Sequence, residues 1–180
     1  DAGGSSAIVP LQTFIWKYGD GIVDTVYTAA PAVPHTYPTH GIYTASLTVI
    51  DANTCRDSSS QQVTIHSLPV PQFSTTAQCY RDSVYFVTIG STIPNVSGDV
   101  ISNWNWKFGD GGTSTIQDPG HTYPQPGVYT PTLTATSNFG CVGELAKTLT
   151  VTPSPVADLV TDSVCKNDAT LFTDKSKFDP

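Results

Sequence analysis

Trp106-Lys107-Phe108-Gly109-Asp110-Gly111 restates, with one aromatic exchanged, the earlier stretch Trp16-Lys17-Tyr18-Gly19-Asp20-Gly21. In both, aromatic residues two apart share one face of an extended segment. Gly-Asp-Gly must then turn the chain, because glycine supplies positive φ and Asp bonds nearby backbone N–H groups. The likeness continues downstream. His35-Thr36-Tyr37-Pro38 returns as His121-Thr122-Tyr123-Pro124, and Gly41-Ile42-Tyr43-Thr44 returns as Gly127-Val128-Tyr129-Thr130. Leu47 returns as Leu133 and Cys55 as Cys141. From the histidines onward the offset is a constant 86 residues, as 121−35, 129−43 and 141−55 show. The tryptophans lie 90 apart, so the loop after the first Gly-Asp-Gly is longer by four residues. A fixed internal period is the mark of a repeat architecture.

The offset runs past the second copy, pairing Phe73 with Leu159, Cys79 with Cys165 and Phe86 with Phe172. The expected organisation is a repeat lacking its first strands at 1–67, a complete repeat at 68–153, and the opening strands of a third at 154–180. The last piece is the part that the first repeat lacks. This predicts a chain cut from a longer array, or copies whose ends complement one another. The junctions, Ser67-Leu68-Pro69-Val70-Pro71 and Thr152-Pro153-Ser154-Pro155, carry spaced prolines and read as short, semi-rigid linkers.

Composition points the same way. Charged residues make up only 13% of the chain, about half the globular average, and Ser, Thr, Gly, Pro and Val take their place. No segment shows apolar residues at helical spacing, so the chain reads as all-β. In the complete repeat, strands are expected at 70–76, 83–88, 103–108, 113–116, 128–136 and 145–152, with Trp104, Trp106 and Phe108 on one face. Tyr129, Pro131, Leu133 and Ala135 are expected to share a face of the next long strand. Short strands separated by turn signals fit a two-sheet sandwich. A net charge of −7 with no Lys/Arg cluster argues against nucleic-acid binding. No apolar stretch approaches the roughly 20 residues of a membrane span.

The spacing W-x-F/Y-G-D-G, then H-T-Y, then G-x-Y-T-x-x-L-T resembles the polycystic-kidney-disease (PKD) domain, and the three motifs recur in order in both copies. The cysteines and the proline-rich opening before Phe73 resemble versions found in long bacterial surface proteins, including adhesins. The resemblance implies tandem immunoglobulin-like sandwiches serving as spacer, stalk or adhesion modules. It also implies that Trp16, Gly19, Asp20, Gly21, His35, Tyr37, Gly41 and Tyr43, with Trp106, Gly109, Asp110, Gly111, His121, Tyr123, Gly127 and Tyr129, are structural landmarks.

Residues that could carry chemistry are few. His35 and His121 each adjoin an aromatic, but no further ligand recurs at metal spacing, so both are expected to stabilise the turn. Asp20 and Asp110 are the only candidates for calcium, which needs about six to eight oxygens. No cofactor is expected otherwise. No G-x-S-x-G turn or recurring Ser/His/Asp set exists, and no catalytic residue is assigned. Tyr27, Tyr80 and Phe139, near turns, are candidates for a binding surface. Asn95-Val96-Ser97 is a glycosylation sequon. Thr25, Ser83 and Ser163 sit in D-S/T-apolar contexts that resemble an O-glycosylation signal of some bacterial exported proteins.

For the cysteines the sandwich fold leaves three readings open. Cys79 bonded to Cys141 would close a loop of 141−79 = 62 residues. The first and last hairpin loops of such a sandwich, however, lie at opposite ends, beyond the ~7 Å a disulfide spans. Bonds from Cys79 or Cys165 to the counterparts of Cys55 or Cys141 in a successive domain would staple a rod. Free thiols are the third reading. The expected function is a non-enzymatic stalk or filament segment of an extracellular or cell-surface bacterial protein, with neighbouring repeats or copies as end-to-end partners. The alternatives are a glycan- or surface-binding adhesion module and an accessory spacer of an exported hydrolase.

Overall fold

One hairpin, present in both copies, organises each repeat, and a single proline makes its two versions differ. In a computed structural model, which describes residues 10–27, 32–76, 79–94 and 98–179, the chain divides into two units, Asp1–Ser67 and Leu68–Pro180.

The first unit holds β1 (Leu11–Lys17), β2 (Val23–Val26), β3 (Gly41–Asp51) and β4 (Arg56–Ile65) in one antiparallel sheet ordered β2-β1-β3-β4. Strands β3 and β4 pair without interruption from Gly41↔Ile65 to Ile50↔Arg56. Trp16 lies opposite Leu47. On that face Trp16, Leu47 and Val63 are only half-buried.

The second unit contains β5 (Ser74–Thr75), β6 (Val84–Val87), β7 (Ile101–Lys107), β8 (Thr113–Ser114), β9 (Gly120–His121), β10 (Gly127–Tyr129), β11 (Thr132–Ser137), β12 (Val142–Ala146) and β13 (Leu149–Val151). They form sheets β12-β11-β7-β8, β5-β6-β9 and β10-β13. Here the hairpin is cut. The sequence predicts continuous strands over 128–136 and 145–152, but the ladder breaks at Thr130-Pro131 and again at Lys147-Thr148. Its register is unchanged, since Gly127↔Val151 and Thr132↔Ala146 reproduce Gly41↔Ile65 and Ser46↔Ser60 at the 86-residue offset. Pro131 occupies the place of Ala45 and has no N–H to donate, so the ladder parts there. Tyr129, Pro131, Leu133, Ala135 and Ser137 still alternate inward.

Between the sheets lies one core. Phe73, Val84 and Phe86 from the opening strands meet Trp106, Phe108, Tyr123, Leu133, Leu149 and Val151 from the body. Trp106 is 0% exposed, with its ring centroid 5.0 Å from both Phe73 and Phe86. Its indole N–H donates to the Gln117 carbonyl at 3.2 Å, so burial leaves no orphan donor. Trp104, one face-position earlier, packs against the rim of this core.

Residues 154–179 add β14 (Pro155–Val156), β15 (Leu159–Thr161), β16 (Phe172–Asp174) and β17 (Lys177–Phe178), paired β14 with β17 and β15 with β16. The junction before them is tied down. The Tyr80 N–H donates to the Thr152 carbonyl at 2.8 Å, the Ser154 hydroxyl to the Tyr80 carbonyl, and Arg81 pairs with Asp179 at 2.8 Å. At the other junction, Pro69 and Pro71 are buried. A Cβ on Gly143 would run into the Pro69 carbonyl oxygen, so glycine is what lets the linker seat on β12.

Candidate functional site: a duplicated Asp–His–Tyr constellation

The turn after each tryptophan strand requires glycine at its first position. Gly109 has φ +91°, and a Cβ there would stand 2.9 Å from the Thr130 nitrogen. Gly19 has φ +87°, with Thr44 backbone oxygen 2.7 Å from the same point. The turn thus lies directly against the strand that follows Gly127 or Gly41. In it, Asp110 Oδ1 accepts the Gly112 N–H at 2.9 Å, and Asp20 Oδ1 accepts the Ile22 N–H at 3.0 Å.

The other carboxylate oxygen reaches the histidine. His121 Nε2 lies 2.7 Å from Asp110 Oδ2, and His35 Nε2 lies 2.7 Å from Asp20 Oδ2. Each imidazole stacks flat on the aromatic before the turn, at 4.0 Å and 7° for Phe108–His121 and 3.8 Å and 5° for Tyr18–His35. Each then meets the next tyrosine edge-on, at 4.8 Å for Tyr123 and 4.6 Å for Tyr37. Those tyrosines turn their hydroxyls back to the strand, Tyr123 to the Phe108 carbonyl and Tyr37 to the Tyr18 carbonyl, both at 3.1 Å. Tyr129 and Tyr43 complete the columns and cap their own loops, donating to the carbonyls of Gln125 at 2.8 Å and Thr39 at 3.0 Å.

The electrostatics follow from this geometry. Burial pushes the Asp110 carboxyl up, but the His121 hydrogen bond and the Gly112 N–H outweigh it and hold it below the usual carboxylate range. For Asp20, burial is likewise outweighed, first by the Ile22 N–H and then by His35. Burial raises the Tyr123 phenol, with Asp110 and Tyr129 adding to it. Tyr18 is pushed up to about 12, by burial and then by its 2.9 Å hydrogen bond to Asp24. That last contact has no counterpart at Phe108 and was not legible in the repeat.

Both oxygens of each recurring aspartate therefore face protein donors. Among the described residues, no group of three or more His, Cys, Asp or Glu side chains is placed to hold a metal ion. The constellation ties a tight turn to a segment distant in sequence through shape and charge.

The remaining candidates scatter. Tyr27 is 74% and Phe139 53% exposed. Tyr80, expected at the surface, is half-buried against the core because its backbone is bonded to Thr152, and Arg81 lies 5.4 Å over its ring. Thr25, Ser83 and Ser163 are exposed, and Ser83 faces the Thr122 hydroxyl at 3.2 Å. Asn95 lies outside the described residues. All four cysteines are unbonded, Cys55 and Cys165 exposed, Cys79 and Cys141 half-buried. The backbone at Cys79 forms an isolated β-bridge with Thr152, after β13, and Cys141 immediately precedes β12.

The PKD domain description matches residues 1–66 and again residues 68–153. Among solved structures, the chain is similar to the PKD1 domain of Vibrio anguillarum Epp, with 26% identity over 48% of this chain and 95% of that one, at a TM-score of 0.43. It is also similar to the PKD1 domain from Vibrio cholerae metalloprotease PrtV, with 31% identity over 47% of this chain and 96% of that one, at a TM-score of 0.42. Two matches in tandem, covering most of the chain, mark a structural or accessory module built from β-sandwich repeats. With its turn, histidine and tyrosine columns in duplicate, the chain belongs to the PKD domain family.

Proposed function

We propose that this chain is a stalk or filament segment of a secreted or cell-surface repeat protein, passing load between domains without catalysing a reaction. The observation that carries this reading is the tied junction after repeat two. Tyr80, Ser154, Thr152, Arg81 and Asp179 join the linker and the following hairpin to the preceding sandwich by hydrogen bonds and an ion pair. A linker held in this way transmits orientation, which a solvated tether does not. The polar side chains of the duplicated constellation face inward to protein partners, as a support element requires. Backbone NMR relaxation tests it. Residues 155–179 should tumble with repeat two, and R81A combined with S154A should release them. Free tumbling of that segment in the unmodified chain would refute the reading.

Exposed Tyr27 and Phe139 favour a second reading, adhesion to glycans. Salt-insensitive retention on an immobilised polysaccharide, lost in Y27A or F139A, would support it over load bearing.

A further inference from the structure

The break at Pro131 leaves a gap in the closing hairpin of repeat two. The Lys147 N–H donates to the Pro131 carbonyl at 3.1 Å. Residues paired in this way exchange two bonds in an antiparallel ladder, and proline has no N–H for the return bond to the Lys147 carbonyl. The strands part over Thr130-Pro131 and Lys147-Thr148. In repeat one the corresponding pair is Ala45↔Gln61, and the ladder runs through it.

Beside the gap lies a cavity of about 160 Å³. Phe73, Pro131 and Leu149, all buried, give it an apolar floor. Ser74, Lys147 and Thr148, all exposed, give it a polar rim. Lys147 Nζ donates to the Phe73 carbonyl and stands 4.9 Å from the centroid of the Phe73 ring. The ammonium is therefore held at the rim. It carries three donors, of which that carbonyl takes one. Among the described residues, no carboxylate pairs with it. Repeat one has neither the proline nor the lysine at these places, so neither is a landmark of the repeat.

We propose that this cavity binds a small monocarboxylate, with a compact apolar body on Phe73, Pro131 and Leu149 and its carboxylate on the Lys147 ammonium. The hydroxyls of Ser74 and Thr148 border the place where the carboxylate sits.

Size and charge select this class together. An apolar space of about 150 Å³ holds a six-carbon ring. A neutral ring would fill the floor and leave the ammonium without a counter-ion. Sulfate or phosphate would bring no apolar surface to the floor, and a net charge of −7 repels a doubly charged anion from the chain as a whole. One negative charge on a compact apolar body satisfies both parts. This inference stands on the geometry of repeat two and does not depend on the stalk reading.

An amide NMR titration of the 180-residue chain with sodium benzoate, at constant ionic strength, tests it. The amides of Phe73, Ser74, Thr148 and Leu149 should shift saturably, with a Kd on the order of 1 mM. Benzyl alcohol, which keeps the ring and lacks the charge, should bind about 10-fold more weakly. K147Q should weaken benzoate about 10-fold and leave benzyl alcohol unchanged. Should K147Q lose its fold, the comparison of the two ligands on the unmodified chain still decides. Absence of saturable shifts up to about 20 mM benzoate overturns the proposal, as does equal affinity for benzoate and benzyl alcohol. Sulfate moving the same amides as strongly would mark an unspecific anion contact and overturn it as well.

Discussion

Asp110 and His121, 11 residues apart, meet at 2.7 Å, the separation at which Asp20 and His35 meet across 15 residues. Four extra residues in the first loop leave the contact unchanged. The loop therefore does not set the distance. The flat stacking of each imidazole on Phe108 or Tyr18 and its edge contact with Tyr123 or Tyr37 do.

Removing the ring should therefore loosen the turn locally. H121A leaves Asp110 Oδ2 in a site only 8% exposed without its partner, and the expected loss is about 2 kcal/mol for repeat two. Urea unfolding should show it. Hydrogen exchange at the Gly112 amide, bonded to Asp110, should accelerate while the turn of repeat one is unaffected.

The pH dependence has a definite sign. Asp20 and Asp110 are held below the ordinary carboxylate range in the folded chain, so the unfolded chain binds more protons in acid. Their contribution is present above the unfolded value of about 4 and is lost as pH falls through the folded values. Thermal unfolding followed from pH 6 to pH 2.5 should show a midpoint that declines below about pH 4, and D110N should flatten the decline.

Two glycines of one turn separate strain from collision. Gly111 has φ +97° and open space within 4 Å of where a Cβ would stand, so G111A should cost only backbone strain, about 1 kcal/mol. G109A adds a collision with Thr130 backbone to similar strain and should cost about 3 kcal/mol or more. Equal losses in calorimetry would remove the close approach of turn and strand as the reason for glycine.

Gly143 tests the first linker. G143V should lift Pro69 off β12, cost about 2 kcal/mol and open the segment around Leu68 to proteolysis. Protection equal to that of the unmodified chain would show that the linker does not need this seat.

The repeat itself determined much of this protein. Strand alternation is local, with a period of two, so Trp104, Trp106 and Phe108, and likewise Pro131, Leu133 and Ala135, could be placed on their faces from order alone. The Gly-Asp-Gly turn was equally legible, because only glycine relieves positive φ. What the sequence could not assign were the partners across space. That Asp110 takes His121 follows from stacking on Phe108, a contact between segments with no shared periodicity. The break at Pro131 required knowing that its missing N–H fell opposite Lys147 in a ladder that repeat one, with Ala45 there, keeps whole. Tyr80 was drawn inward by the backbone just after β13 at Thr152, more than 70 residues away. Local pattern determines which side of a strand a residue faces, and only packing decides what it meets there.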